Sequence, residues 1–137
     1  MAYWLVKSEP FKYSWDRFVQ DGRTHWDGVR NHQAALNLKS MKVGEHAFFY
    51  HSNKGLEIVG IAEIVREAYP DPSDPAGRFV MVDLAPVKPV ATPVTLKQMK
   101  ADPALADMQL IKQSRLSVCP VTDEQWAHIC MLAGVSA

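Results

Sequence analysis

Short β-type runs and short, well-capped helices interleave along this chain without a regular strand–helix–strand alternation. That irregular order limits the fold more than any other feature. Tyr3 to Lys7 reads as a strand rich in aromatic and aliphatic residues, ended by Pro10. Ser14 caps a short helix with Trp15, Phe18 and Val19 on one face, and Asp21-Gly22 closes it. Asn31 is placed to cap a second helix, about His32 to Ser40, and Gly44 marks a turn. Ala47 to His51 has the pattern of a buried strand. Asn53-Lys54-Gly55 is a hairpin turn into a long strand, Leu56 to Arg66, in which Gly60 marks a bulge or a close approach.

Tyr69 to Gly77 carries Pro70, Pro72 and Pro75 and reads as a loop. Phe79 to Val87 is a further strand, after which Pro89 and Pro93 punctuate a connection. Thr95 with Gln98, Asp102-Pro103, and Thr122 with Gln125 are helix starts, and Leu116 to Cys119 is a strand. Trp126, Ile129, Cys130 and Ala133 recur at helical spacing up to Gly134. The expectation is an α+β fold: a mixed sheet curling into a barrel, flanked by short helices.

At 137 residues the chain is expected to be one domain, 1–137. Fifteen basic residues balance fifteen acidic ones. That argues against coating long nucleic acid by bulk charge, while leaving room for a local basic patch. Cys119 and Cys130 lack Cys/His ligand spacing and read as buried thiols, so no metal site is expected. Met1 to Val6 is apolar but too short for a signal peptide, and no run approaches transmembrane length. A cytoplasmic monomer without a cofactor is expected.

Chemistry concentrates in Trp26-Asp27-Gly28-Val29-Arg30-Asn31. A flat base needs an aromatic face, an amide for its polar edge and a cation for its phosphate, and this stretch holds all three. Each residue also has a plainer reading: Trp26 as a core aromatic, Asn31 as a helix cap, Arg30 as a solvated cation. Lys7-Ser8-Glu9 sets polar groups at a strand end, where Lys7 and Glu9 also suit an acid–base pair. Strand alternation turns Tyr50 and His51 to opposite faces. Gln113, Ser114 and Arg115 offer an amide, a hydroxyl and a guanidinium suited to phosphate. Phosphate-loop, nucleophile-elbow and zinc-protease motifs are missing.

Taken together, these segments resemble the EVE domain family of the PUA-like superfamily. The match rests on Tyr3 to Pro10, Trp26 to Asn31 with Ala34 and Ala35, Met41 to Glu45, Phe49 to Ser52, Gly60 to Glu63, Pro70-Asp71-Pro72 and Gln113 to Val118. Single motifs are weak, but the set is collinear and spans nearly the whole chain. The resemblance implies a PUA-like curled sheet, kinship to YTH domains, and a module that binds DNA or RNA by reading a modified base, above all a modified cytosine, in an aromatic cage. It implies Lys7, Ser8, Glu9, Trp26, Asn31, Tyr50 and His51 around the base, and Arg30, Gln113, Ser114 and Arg115 toward phosphate. The related ASCH branch implies an alternative, an amidohydrolase of modified nucleosides using Lys7 and Glu9.

Overall fold

The computed structural model describes residues 2–136. Their order is β1 (Tyr3–Ser8), α1 (Trp15–Asp21), β2 (Thr24–Trp26), α2 (His32–Ser40), β3 (His46–His51), β4 (Glu57–Pro70), β5 (Val80–Thr95), α3 (Leu96–Lys100), α4 (Gln109–Lys112), β6 (Val118–Val121) and α5 (Asp123–Ala133). One 3₁₀ turn, Pro103–Leu105, precedes α4.

The strands form one six-stranded sheet in the order β2-β5-β4-β3-β1-β6. β1 and β3 pair in parallel and every other pair is antiparallel, so the sheet is mixed, as expected. Register shifts at several points between β4 and β5 bend these long strands and curl the sheet. Among the described residues its edge strands β2 and β6 do not hydrogen-bond to each other, so the curl stops short of a closed barrel.

Register partners share a face of the sheet. One face therefore holds Tyr3, Leu5 and Lys7 beside His46, Phe48 and Tyr50. On it, Trp126 of α5 stacks on Phe48 at 3.9 Å and on Tyr3 at 4.3 Å between ring centroids. The other face holds Trp4, Val6 and Ser8 beside Ala47, Phe49 and His51. There Trp15 and Phe18 of α1 meet Phe49 at 5.4 and 5.3 Å. The two sides of the β1–β3 pair thus carry separate aromatic clusters, and the strand ends present different residues on each side.

Gly60 is the close-approach point its position suggested. A Cβ built there would lie 2.4 Å from the Trp15 ring. The indole lies against the bare backbone of β4, beside a register shift between Ile58 and Gly60. Gly60→Ala is expected to force this ring out of place and to cost about 1–3 kcal/mol, read as a lower denaturant midpoint. An unchanged midpoint would remove the close approach as a constraint on sequence.

Several expected boundaries move. β4 continues through Tyr69 and Pro70, so the loop begins only at Asp71. β5 runs on through Pro86, Pro89 and Pro93 to Thr95 instead of breaking. Its short partner β2 covers only Val82 to Leu84, so beyond Leu84 β5 is paired on one side, and register shifts accompany the prolines. Prolines are tolerated at such edge and bulge positions. Val19 is 51% exposed, which leaves Trp15 and Phe18 as the buried face of α1. The last strand starts at Val118 rather than Leu116, and β2 and α4 had no clear sequence signature.

Candidate functional site

Where β1 ends, α1 begins and β2 leads into the 27–30 loop, the chain leaves a cavity of ≈ 380 Å³, within the size range of small-ligand sites. Lys7, Ser8, Glu9, Tyr13, Trp26, Gly28 and Arg30 are among its walls, with Lys12, His25, Asp27 and Ser117 around them. Four of the seven residues expected around a base therefore meet here: Lys7, Ser8, Glu9 and Trp26.

Trp26 is both packed in the core and placed at the cavity wall. It is 9% exposed, with its ring 5.7 Å from Phe49 and 6.4 Å from Tyr13, each edge-on. It is a core residue that also lines the cavity. Its strand is anchored from outside by Asp83, which accepts hydrogen bonds from Arg23 at 2.9 Å and Tyr69 and pairs with His25 Nδ1 at 2.9 Å. Burial pushes the Asp83 carboxyl up, but His25, Tyr69 and Arg23 outweigh it and hold it at about 2. Ser8 Oγ donates to the Tyr13 carbonyl at 2.6 Å, tying the strand end to the segment before α1.

The floor of the cavity hangs on one carboxylate. Asp71 is 1% exposed and accepts from the Gly28 N–H at 2.8 Å, the Ser73 N–H at 2.8 Å and Ser73 Oγ at 2.6 Å. Gly28 has φ 77, a left-handed conformation that side-chain-bearing residues rarely adopt, and this turns its N–H toward Asp71. Burial raises the Asp71 pKa, yet the hydrogen bonds from Ser73, Gly28 and Arg30 lower it further, to about 2. In the sequence, Pro70-Asp71-Pro72 stands out as part of a proline-rich loop and of the family match, with no sign of a buried carboxylate. Its partners Gly28 and Arg30 lie about forty positions away, so no local signal pointed to this role.

Arg30 belongs to the same scaffold. Its Nη1 lies 3.3 Å from Asp71, its Nη2 donates to Ser73 Oγ at 2.9 Å, and its guanidinium sits 5.3 Å over the Phe79 ring. The cation expected to face phosphate is thus largely engaged in holding the loop, though the residue remains exposed at the cavity wall.

The other three residues expected around the base, and the three expected at phosphate with Arg30, lie elsewhere. Asn31 caps α2, its Oδ1 accepting from the Ala34 N–H at 2.9 Å. It lines a separate shallow groove with Gln113, Ser114 and Arg115, so the expected phosphate group Gln113-Ser114-Arg115 is gathered beside Asn31 rather than beside Trp26. Tyr50 sits on the Lys7 face of the sheet and borders a second cavity. His51, on the opposite face, accepts from the Trp15 N–H through Nε2 at 3.1 Å and so completes the start of α1. A shared base-pocket wall for Tyr50 and His51 is corrected on this ground: adjacent strand residues diverge.

His51 accepts only when neutral. Burial lowers its pKa, against the opposing pull of Glu57 and Asp16. The unfolded chain therefore takes up this proton first, and the contribution of His51, full above about pH 6.5, is lost as pH falls below it. Wild type is expected to lose stability on acidification through this window and His51→Gln to lose less. Identical pH profiles would contradict the assignment.

Lys7 and Glu9 are each engaged with other groups. Lys7 Nζ donates to the Ser114 carbonyl at 2.9 Å, while Glu9 accepts from Asn53 at 2.8 Å and pairs with Lys12 at 3.2 Å. Burial lowers the Lys7 pKa, with a smaller upward pull from Cys119. Cys119 and Cys130 are buried and free. Among the described residues no three His, Cys, Asp or Glu side chains group as metal ligands, and no helix is long and apolar enough to cross a membrane.

Comparison with known proteins gives one consistent result. The family model described as "EVE domain" matches residues 2–132. Human thymocyte nuclear protein 1 is 34% identical over 165 aligned positions, covering 96% of this chain and 73% of that protein. An NMR structure of a Rhodopseudomonas palustris protein is 59% identical, with TM-score 0.93, covering 98% of this chain and 94% of that one. The crystal structure of human THYN1 protein in complex with 5-methylcytosine containing DNA is 33% identical, with TM-score 0.93 and 100% of both chains covered. A YTH domain of Zygosaccharomyces rouxii, solved with N6-methyladenosine RNA, shares the fold at 18% identity and TM-score 0.62, over 96% of this chain and 86% of its own.

Proposed function

This chain belongs to the EVE domain family, and from that premise we propose that it is a nucleic-acid-binding module that reads a modified base, a modified cytosine, in the cavity beside Trp26. The observation that carries the reading is the end-to-end match to a human protein solved with 5-methylcytosine containing DNA. The cavity supports it independently: an indole, a phenol ring, hydroxyls and backbone groups surround a space of ≈ 380 Å³ at the open end of a strand.

A base reaches such a cavity only out of its stack or from a single strand. Extrusion costs a few kcal/mol, and stacking on an aromatic returns about 1–3 kcal/mol per base. Lys7, Lys12 and Arg115 lie on the cavity walls or their continuation and supply positive charge for the phosphates. In a neutral chain, this local charge favours binding at one nucleotide over coating a duplex. Lys7 and Glu9, the pair that hydrolysis would need, are engaged with Ser114, Asn53 and Lys12 rather than with each other, which favours binding without chemistry.

The test is a titration with two single-stranded DNA oligonucleotides that differ only in one 5-methyl group. Burying that methyl is worth about 0.8 kcal/mol, so a preference of about fourfold or more is expected. Equal affinities, or turnover of the methylated nucleoside, would sink the proposal.

A further inference from the structure

The second cavity, of ≈ 590 Å³, adjoins the first, since Lys7, Glu9 and Ser117 line both. Its walls are of two kinds. Leu56, Leu96, Leu110 and Ile111 make an aliphatic side, while Lys100 and Arg115 bring positive charge. Tyr50 decides what it can hold. The residue is 2% exposed and lines this cavity, yet its phenol has no hydrogen-bond partner among the described residues, and burial is the one influence on its acidity. Water in the open cavity can meet this hydroxyl, so a ligand that displaces that water must offer an acceptor in its place or lose the bond. Lys7 is its register partner on the same face, with its ammonium turned toward the Ser114 carbonyl.

We infer that this cavity holds the nucleotide next to the one taken by the first. The phosphate joining the two lies at the shared Lys7 edge, the neighbouring base rests on the aliphatic side, and the Tyr50 phenol donates to an acceptor on that base. Three features point to this occupant: a wall shared with the base cavity, cations at the rim, and a phenol donor with no protein partner beside an apolar surface. The inference rests on the base-reading function proposed above, and it adds a consequence. A neighbour that offers no acceptor to Tyr50 leaves the donor unmet, so the module prefers some flanking bases over others.

The experiment uses the free nucleoside 5-methyl-2′-deoxycytidine and short single strands with one central 5-methylcytosine and each base in turn on either side. Wild type is expected to favour its best neighbour about fivefold over its worst, the worth of one hydrogen bond. Tyr50→Phe should level that preference while leaving nucleoside affinity unchanged. Lys100→Ala, at an exposed position, should weaken the strands but not the nucleoside. A Tyr50→Phe protein that unfolds cooperatively and keeps the wild-type preference would overturn the inference, as would a wild type indifferent to its neighbours. Loss of discrimination by the methyl group, with neighbour preference intact, would instead fault the base-reading function. Failure to bind any strand would overturn both.

Discussion

Trp26→Ala is expected to destabilise the protein by about 3–5 kcal/mol, the usual cost of truncating a buried aromatic. The ring is 9% exposed and fills the space between Phe49 and Tyr13. Small domains have only about 5–15 kcal/mol in hand, so the variant needs its folded fraction measured by denaturation before any binding is read. Binding should fall as well, by the about 1–3 kcal/mol that base stacking supplies, or roughly 5- to 150-fold. Trp26→Phe separates the two effects: it keeps a stacking face and most of the packing, and should fold while binding more weakly. Unchanged affinity in folded Trp26→Ala would remove the indole from the site.

Asp71→Asn should have the second largest effect, although this side chain lies behind the cavity wall. Its carboxylate accepts from Gly28, Ser73 and Arg30 together. An amide has one acceptor oxygen in place of two and brings N–H groups against donors. The expected loss is about 2–4 kcal/mol of stability. Binding should weaken on the order of tenfold as the 27–30 loop loses its fixed shape. The acid limb carries the same signature. The folded carboxyl titrates at about 2 against an ordinary 3.8. Its contribution is therefore full above the unfolded value and lost as pH falls from about 4 toward 2, an amount of about 2 kcal/mol. Asp83 titrates in the same window and keeps part of the acid sensitivity in the variant. Asp71→Asn should flatten the slope without abolishing it; an unaltered slope would show that Asp71 is not the clamp.

These two residues mark what the sequence could and could not tell. Local signals were legible: Ser14, Asn31 and Thr122 cap the helices their positions announced, and Gly60 makes its close approach. Trp26 was visible both as a core residue and as a candidate for the cavity wall, because its neighbours are polar while its own chemistry is apolar. Asp71 was not, because its partners Gly28 and Arg30 lie about forty positions away, and no local pattern encodes such a contact. The length of β5 was hidden for a similar reason. Whether a proline ends a strand depends on whether its free edge faces a neighbour, which only the strand order decides. The split between Tyr50 and His51 was contained in strand alternation, but the family pattern grouped them. Here the elementary geometry was the better guide.

The most direct measurement is a nitrogen–proton NMR titration of the uniformly labelled protein with 5-methyl-2′-deoxycytidine. If the modified base occupies the first cavity, the largest shifts fall on the Trp26 indole N–H and the backbone amides of Ser8, Trp26 and Gly28, with those lining only the second cavity, such as Leu110 and Ile111, nearly still. Shifts confined to the second cavity or to the groove at Asn31, or an unmoved Trp26 indole at saturation, would contradict it.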